Sequence, residues 1–571
     1  MFGARMGLTP TRRLRRLVLV LAVAAAWPLV AGARYRQSYD AWTHMFFADH
    51  YRRDWWALWE PRWYGGFPVV SYPPLAHQLV GLLGFAVGVE AAWAIVLLGT
   101  LIALPFAAVA FARRFVGSRA AWYAGLVTPF IPAVPLAAHT FGQLPTLFGL
   151  ACALTGLAFL ADFMRTGRRC DGYRAGLWLT AAAAAHHGTL LFLPWGVGAV
   201  CVHRLVGCRD PLFRLTRRLV PWAACTAAGA GLIIWPFWVW GFSQTPQTPI
   251  DHLSRHAFIA DPAAAGVFFW PMYGPLVAVL PAALRLGLRR RTLGLALLVG
   301  FCFALGLGGT TPLPALLFGP GWEWLTYDRF ALWAAVGLTP FAGLLAVRLG
   351  RIPPGWIRRT VGLTASGVLG ASALYAGNFA AINSTQPRLL DLEPVVRFLE
   401  SEDARGWRYV TFGFGDQFAR LSLLTDTPTV DGNYPTGRLW PVLRSSGLGS
   451  LDAARWLADG LSRLDVLMDR FSEAGVRWAF VNHPDYLRLL EARGWRRAGV
   501  LPNGAEVWEN PAAVLPPASP GPDFPPLAAV SWGILPVVSL AAAVGFTVIP
   551  GHYVRAPRKA RDCGLAQIRP V

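Results

Sequence analysis

The chain has 571 residues, is 55% hydrophobic with a mean hydropathy of +0.42, and has only 15% charged residues. That composition excludes a disordered chain and argues against an ordinary soluble enzyme. The formal net charge of +21 would suggest a nucleic-acid partner in a soluble protein, but the positions of the charges decide against it.

Nearly all the cations are arginine, and Lys559 is the single lysine. A replacement that general reads as compositional bias, so arginine as such is weak evidence of guanidinium chemistry. Apolar runs long enough for a bilayer recur at about 17–33, 91–112, 120–138, 144–163, 173–187, 189–204, 219–241, 265–284, 292–309, 330–347, 360–380 and 527–549. That predicts about twelve transmembrane helices, the fifth and sixth short enough to be one broken hairpin. Arg12, Arg13, Arg15 and Arg16 precede the first run, as in a signal peptide. No small-residue cleavage site followed by a soluble chain appears, so it reads as a retained helix.

With the N-terminus inside, the inner segments run from Arg5 to Arg16, Arg113 to Arg119, Arg165 to Arg174, Arg204 to Arg218, Arg285 to Arg291, Arg348 to Arg359 and onward from Arg555. With Asp162, at the inner end of the fourth run, they hold 30 Lys+Arg and 4 Asp+Glu, and the outer segments hold 22 and 27. The charge thus divides into about +26 inside and about −5 outside, the positive-inside pattern. This predicts a multi-pass protein of the plasma membrane with both termini cytoplasmic. The partner it implies is the bilayer, with no nucleic acid. The seven cysteines fit no disulfide framework, and no Cys/His spacing suggests zinc.

Two outer segments are large. Residues 34–90 form the first outer loop of a transmembrane module covering 1–380. Residues 381–526 are long enough for an extracytoplasmic α/β domain, followed by a last helix and basic cytoplasmic tail over 527–571. In that domain Leu392 to Glu402 reads as helix and Arg408-Tyr-Val-Thr-Phe as a strand. A helix ends over Phe471 to Gly475. Val476 to Val481 reads as a strand, Tyr486 to Arg493 as a helix and Gly504 to Trp508 as a last strand. Asp431-Gly-Asn-Tyr reads as a turn, and Pro511 to Pro526 as a linker.

The first outer loop carries the sharpest signal: Ser38-Tyr-Asp40-Ala-Trp-Thr-His44, then Trp59-Glu-Pro-Arg62-Trp-Tyr64-Gly-Gly-Phe-Pro68 and Tyr72-Pro-Pro-Leu75. Asp40 follows the first span, near the outer interface. Asp40 and His44 share one face if 40–51 is helical. Tyr64-Gly-Gly must turn tightly, and Tyr72-Pro-Pro ends any helix. Pro74 to Gly88 reads as a short re-entrant or interfacial helix, because Glu90 is costly mid-bilayer. Asp49, Asp54 and Glu60 with Arg52 and Arg53 read as a solvated interfacial face. Asp40 itself has a plain alternative role as a helix cap.

Asp-x-x-x-His with Gly-Gly-Phe-Pro and Tyr-Pro-Pro-Leu resembles the bacterial membrane proteins labelled "6-pyruvoyl-tetrahydropterin synthase-related". Those look like the GT-C superfamily of integral membrane glycosyltransferases, and no zinc–histidine site of a soluble pterin enzyme is apparent. The resemblance is strong over about 38–80. Thr311-Pro-Leu-Pro and Tyr327-Asp-Arg-Phe330 are also similar. It implies an α-helical, polytopic, GT-C-like fold and a sugar donor linked to polyprenyl phosphate. The acceptor would be an extracytoplasmic glycan, lipid or protein. Asp40 matches the placement of that superfamily's catalytic carboxylate.

Inverting transfer needs a carboxylate to take the acceptor's proton and cations to hold the leaving phosphate. Asp40 and His44 are the catalytic candidates. Arg62, Arg255 and Arg329 are the phosphate candidates. Tyr64, Tyr72, His139, Gln143, His186, His187 and Asp328 complete the substrate-facing set. Against these, Asp251 and Arg255 have ion-pair spacing, and Asp328 suits a helix cap. No cofactor is expected, and no motif supports a divalent metal. The alternative function is a non-enzymatic transporter or assembly factor for lipid-linked envelope polysaccharide. The absence of an internal repeat, and the gathering of ionisable residues at outer ends, disfavour it.

Overall fold

A computed structural model describes residues 10–244, 246–516 and 521–549. The predicted tail from Arg555 lies outside the described residues. Nine described helices are long and apolar enough to cross a membrane, from Thr11–Ala31 to Pro526–Val548. The other three predicted spans are helices of a different kind. Arg169–Ala185 has 17 residues and Leu293–Gly306 has 14; Trp356–Gly377 has 22 but is less apolar. The protein is a multi-pass helical membrane protein.

The first helix, α1, spans Pro10–Ala31. After a 3₁₀ turn comes α2, Ala41–Arg53, which starts one residue later than the spacing predicted. Gly66 lets the chain reverse behind it. Its φ is +116°, and a Cβ there would stand 2.0 Å from the Trp59 ring. The reversal pairs Trp59 with Pro68 and Glu60 with Phe67 in a two-residue antiparallel ladder, β1 (Trp59–Glu60) with β2 (Phe67–Pro68). Pro73 and Pro74 then admit α3, Leu75–Val87, apolar but only 13 residues long. It packs between α2 and α4, Val89–Ala112. Glu90 at the start of α4 is met by Arg36 at 2.5 Å and by the Tyr35 hydroxyl at 3.4 Å.

Next come α5, Leu144–Thr166, α6, Arg169–Ala185, and α7, Thr189–Val202. The predicted broken hairpin is real: α6 and α7 are separated by His186-His187-Gly188. Farther along, α8 spans Asp328–Leu349 and packs on Ser118–Val127 and Leu293–Gly306.

The C-terminal domain holds a four-stranded sheet in the order β3-β4-β6-β5. Here β3 is Arg408–Phe412, β4 Val476–Val481, β5 Arg496–Val500 and β6 Glu506–Glu509. β3 runs parallel to β4, and the other pairs are antiparallel. Three of these strands were predicted and β5 was not. Its Arg496-Arg497-Ala-Gly-Val is charged and exposed at the sheet edge, so it lacks a core-facing alternation. The helix expected to end at Phe471–Gly475 ends earlier, at Met468. This sheet domain rests on the first loop: α9, Gln417–Leu424, packs against α2. The final helix α10, Pro526–Val548, returns to pack on α6 and α3.

Candidate active site

Asp40 is the N-cap residue of α2, yet its side chain makes no capping bond. Its carboxylate is half-buried and receives no hydrogen bond from the described residues. The helix amides are satisfied by others. Ser38 Oγ accepts from Ala41 N at 3.1 Å, and Asp416 Oδ2 of the sheet domain accepts from Trp42 N at 3.3 Å. The capping role expected as Asp40's alternative is therefore not what its side chain does.

Asp40 interacts through its charge with Asp328 and Arg329 at the start of α8. Burial pushes its pKa up to about 7; the Arg329 cation opposes that rise and the Asp328 carboxylate adds to it. Gln143 donates to Asp328 Oδ2 at 2.8 Å, while Asp328 Oδ1 is buried without a partner. Arg329 donates to Thr326 Oγ1, and its Nε is buried without a partner. Unpaired buried groups of opposite sign beside a free carboxylate are unusual in a settled structural cluster.

Imidazoles and phenols line the rest. His44 lies one turn along α2 from Asp40, and its Nδ1 is 3.0 Å from His77 Nε2. Burial first, then His77 and Arg329, hold the His44 imidazole well below its ordinary pKa, hence neutral. The Tyr72 ring lies 5.4 Å from His44 and 5.1 Å from His187. His186 stacks on His187 at 5.2 Å, and His187 Nδ1 has no partner. Tyr434 of the sheet domain closes the wall, 5.4 Å from Tyr72 and 5.3 Å from Phe47.

Of the residues predicted from sequence, Asp40, His44, Tyr72, Gln143, His186, His187, Asp328 and Arg329 thus form one cluster, joined by these ring contacts, hydrogen bonds and charge interactions. Four do not. Arg62 is 4% exposed and bonded to Glu60, Asp49 and the Ser422 carbonyl, so it has no room for phosphate. Its partners correct a second expectation: Asp49 and Glu60, at 1% and 2% exposure, are not a solvated face. Tyr64 holds the sheet domain, its hydroxyl accepting from Tyr434 N at 2.9 Å. Arg255 donates to the Leu325 and Ile250 carbonyls at 3.0 and 2.5 Å, bracing the loop before Asp328. The expected Asp251–Arg255 pair is absent among the described ion pairs, because Asp251 meets His256 at 3.1 Å instead. His139 is buried with both ring nitrogens unpartnered, and no described ring contact or hydrogen bond joins it to the cluster.

His77, Asp416 and Tyr434 escaped sequence reasoning. His77-Gln78 are the polar pair in an otherwise apolar helix, which is a readable signal. Asp416 follows the end of β3 through Gly413-Phe-Gly, the usual place for functional loops beside a parallel strand pair. The Asp431 carboxylate is structural, accepting from Gly432, Leu451 and Asp452 amides at 2.8 to 2.9 Å. Its neighbours Asn433 and Tyr434 reach the first loop. Among the described residues no group of three or more His, Cys, Asp or Glu is arranged to hold a metal.

Gly142 lies against the backbone of Asp40 and Ala41. Its φ is +71°, and a Cβ would stand 2.4 Å from Ala41 N and 2.7 Å from Ser38 Oγ. Gly142→Ala is expected to displace the Ser38–Ala41 turn, leaving membrane abundance near parental but moving the midpoint of Asp40 ionisation. Carbodiimide labelling of Asp40 across pH checks this, and an unmoved midpoint contradicts it.

Solved structures share this architecture at low sequence identity. ArnT from Cupriavidus metallidurans, bound to undecaprenyl phosphate, is 15% identical, over 87% of this chain and 98% of that one, at TM-score 0.49. The Archaeoglobus fulgidus oligosaccharyltransferase tethered to an acceptor peptide is 13% identical, over 81% and 68%, at TM-score 0.46. The arabinofuranosyltransferase AftD from Mycobacteria is 14% identical and covers 88% of this chain at TM-score 0.50. This chain spans 42% of the length of AftD. These are likenesses of fold alone. No protein-family model and no curated protein sequence matches the chain. The narrower resemblance to the "6-pyruvoyl-tetrahydropterin synthase-related" proteins gains nothing beyond its motif residues.

Proposed function

We propose that this protein is an inverting glycosyltransferase of the membrane that takes a sugar from polyprenyl phosphate and passes it to an extracytoplasmic glycan, lipid or protein. The observation that carries the reading is the Asp40 carboxylate, free of hydrogen bonds from the described residues and in charge contact with Arg329, whose buried Nε has no partner. In this scheme Asp40 accepts the proton of the acceptor hydroxyl. The acceptor oxygen forms its bond to the anomeric carbon as the bond from that carbon to the phosphate oxygen breaks. The electron pair leaves with the phosphate, and Arg329 offsets its charge. Asp328, held by Gln143, fixes the start of α8. Neutral His44 and His77 shape the wall behind Asp40 without adding a competing charge. The basic inner segments support an orientation with the sheet domain outside the cytoplasm and the site at outer headgroup depth.

The test is incubation of the purified full-length protein with a radiolabelled glycosyl undecaprenyl phosphate and candidate acceptors. Release of undecaprenyl phosphate dependent on acceptor supports transfer. Release of none, with the lipid bound, overturns it. Arg329→Gln is expected to weaken binding of undecaprenyl phosphate about 10- to 100-fold, the worth of a charged hydrogen bond. Unchanged affinity in a lipid-binding titration would remove Arg329 from the phosphate site.

A further inference from the structure

The residue that frees Asp40 comes from the far end of the chain. We infer that Asp416 is a positioning residue: it caps α2 in place of Asp40 and so leaves the Asp40 carboxylate free of the helix amides. The inference rests on the reading of Asp40 as the base.

The first turn of a helix presents unsatisfied amides, and the N-cap side chain ordinarily takes the second or third of them. Asp is among the best residues for that task, and Asp40 stands in that position with its carboxylate unused. The cap is instead supplied from 374 residues away, by Asp416 Oδ2 on Trp42 N at 3.3 Å. Asp416 Oδ1 accepts from Thr43 Oγ1 at 3.2 Å. Asn433 binds both sides of the junction, donating to Asp416 Oδ1 at 2.8 Å and to the Tyr39 carbonyl at 2.9 Å. The Arg420 guanidinium lies 5.1 Å over the Trp42 ring, so the same face of the sheet domain also covers the start of α2.

Remove Asp416, and the carboxylate standing at the N-cap position for the first-turn amides is that of Asp40. It would rotate onto them and away from Arg329. Seating of the sheet domain and readiness of the base are then a single event, which gives the domain a catalytic purpose beyond covering the cluster.

The experiment uses the full chain in nanodiscs and compares Asp416→Ala with Asp416→Asn, which keeps one capping oxygen. Two readouts need no substrate: amide exchange over residues 41–45, and labelling of Asp40 by dicyclohexylcarbodiimide, which attacks protonated carboxyls in apolar surroundings. Asp416→Ala is expected to speed exchange about fivefold, as loss of a cap implies, and to cut labelling near pH 6.5 at least fivefold. Asp416→Asn should stay within about twofold of the parent on both. In the transfer assay Asp416→Ala should lower kcat about tenfold with KM for the lipid donor little changed, and Asp416→Asn should recover most of it. Parental exchange and labelling in Asp416→Ala overturn the positioning role. Altered exchange and labelling with unaltered transfer keep the positioning role and overturn the base.

Discussion

Asp40→Asn is expected to lower transfer about 10²- to 10⁴-fold, the usual worth of a general base, at unchanged membrane abundance. The substitution is nearly isosteric and breaks no hydrogen bond, because the carboxylate makes none with the described residues. The helix cap survives, since Ser38 and Asp416 provide it. Affinity for undecaprenyl phosphate should stay near the parental value, because Arg329 is untouched. The pH profile sharpens the test. A base must be ionised to act, and burial places Asp40 at about 7. Parental kcat should therefore rise with pH and level off above about 7, and Asp40→Glu should retain a shifted rise. Stability runs the other way. A carboxyl whose folded pKa is raised binds its proton more tightly folded than unfolded, so ionisation costs stability progressively from about pH 4 up to about 7. Asp40→Asn removes that cost, so the inactive variant should melt no lower than the parent at pH 8. Unchanged transfer with confirmed folding would refute the assignment.

The membrane module was largely legible because its signals are local. A span is a long apolar run, and all twelve predicted spans fall on helices. The Tyr64-Gly65-Gly66 turn and the stop at Pro73-Pro74 were legible because φ constraints act on single residues. Eight of the proposed site residues were chosen for polarity at the outer ends of apolar runs, and the fold brings those eight together. Arg62 was misjudged on that same criterion, since polarity beside an interface does not distinguish a ligand-facing arginine from one consumed by Glu60. The cap by Asp416 was out of reach because it joins positions 374 apart, and no pattern in either segment refers to the other. His77 needed the knowledge that α3 folds back along α2, which is set by the turn at Gly66 and not by α3 itself.

Arg62→Met is expected to destabilise the first loop by roughly 3–5 kcal/mol, the cost of leaving buried carboxylates without their cation. Arg62 Nε and Nη2 each donate to Glu60 at 2.8 Å, and Nη1 reaches Asp49 Oδ2 at 2.8 Å and the Ser422 carbonyl at 3.0 Å. The guanidinium also lies 4.5 Å over the Phe46 ring, so methionine replaces only the packing. Burial by itself would raise the Glu60 pKa; the bonds from Arg62 and His50 outweigh it and hold the carboxyl well below its usual range. A depressed folded pKa contributes stability above the unfolded value, near 4.5, and loses it as pH falls toward the folded one. In Arg62→Met only His50 still opposes burial, so the Glu60 pKa rises and the carboxyl takes up a proton more readily. The loss relative to the parent should therefore be smaller at pH 4.5 than at pH 7.5. Because Ser422 belongs to α9, the helix seated against α2, the variant should also speed exchange at the domain junction. Adding Glu60→Gln should recover part of the loss, since the two sites share one network. Thermal unfolding in detergent at both pH values measures all of this. A melting temperature within about 2 °C of the parent at pH 7.5 would show that Asp49 and Glu60 are satisfied by Arg52, Arg53 and His50 alone, and would return Arg62 to the residues free to meet a ligand.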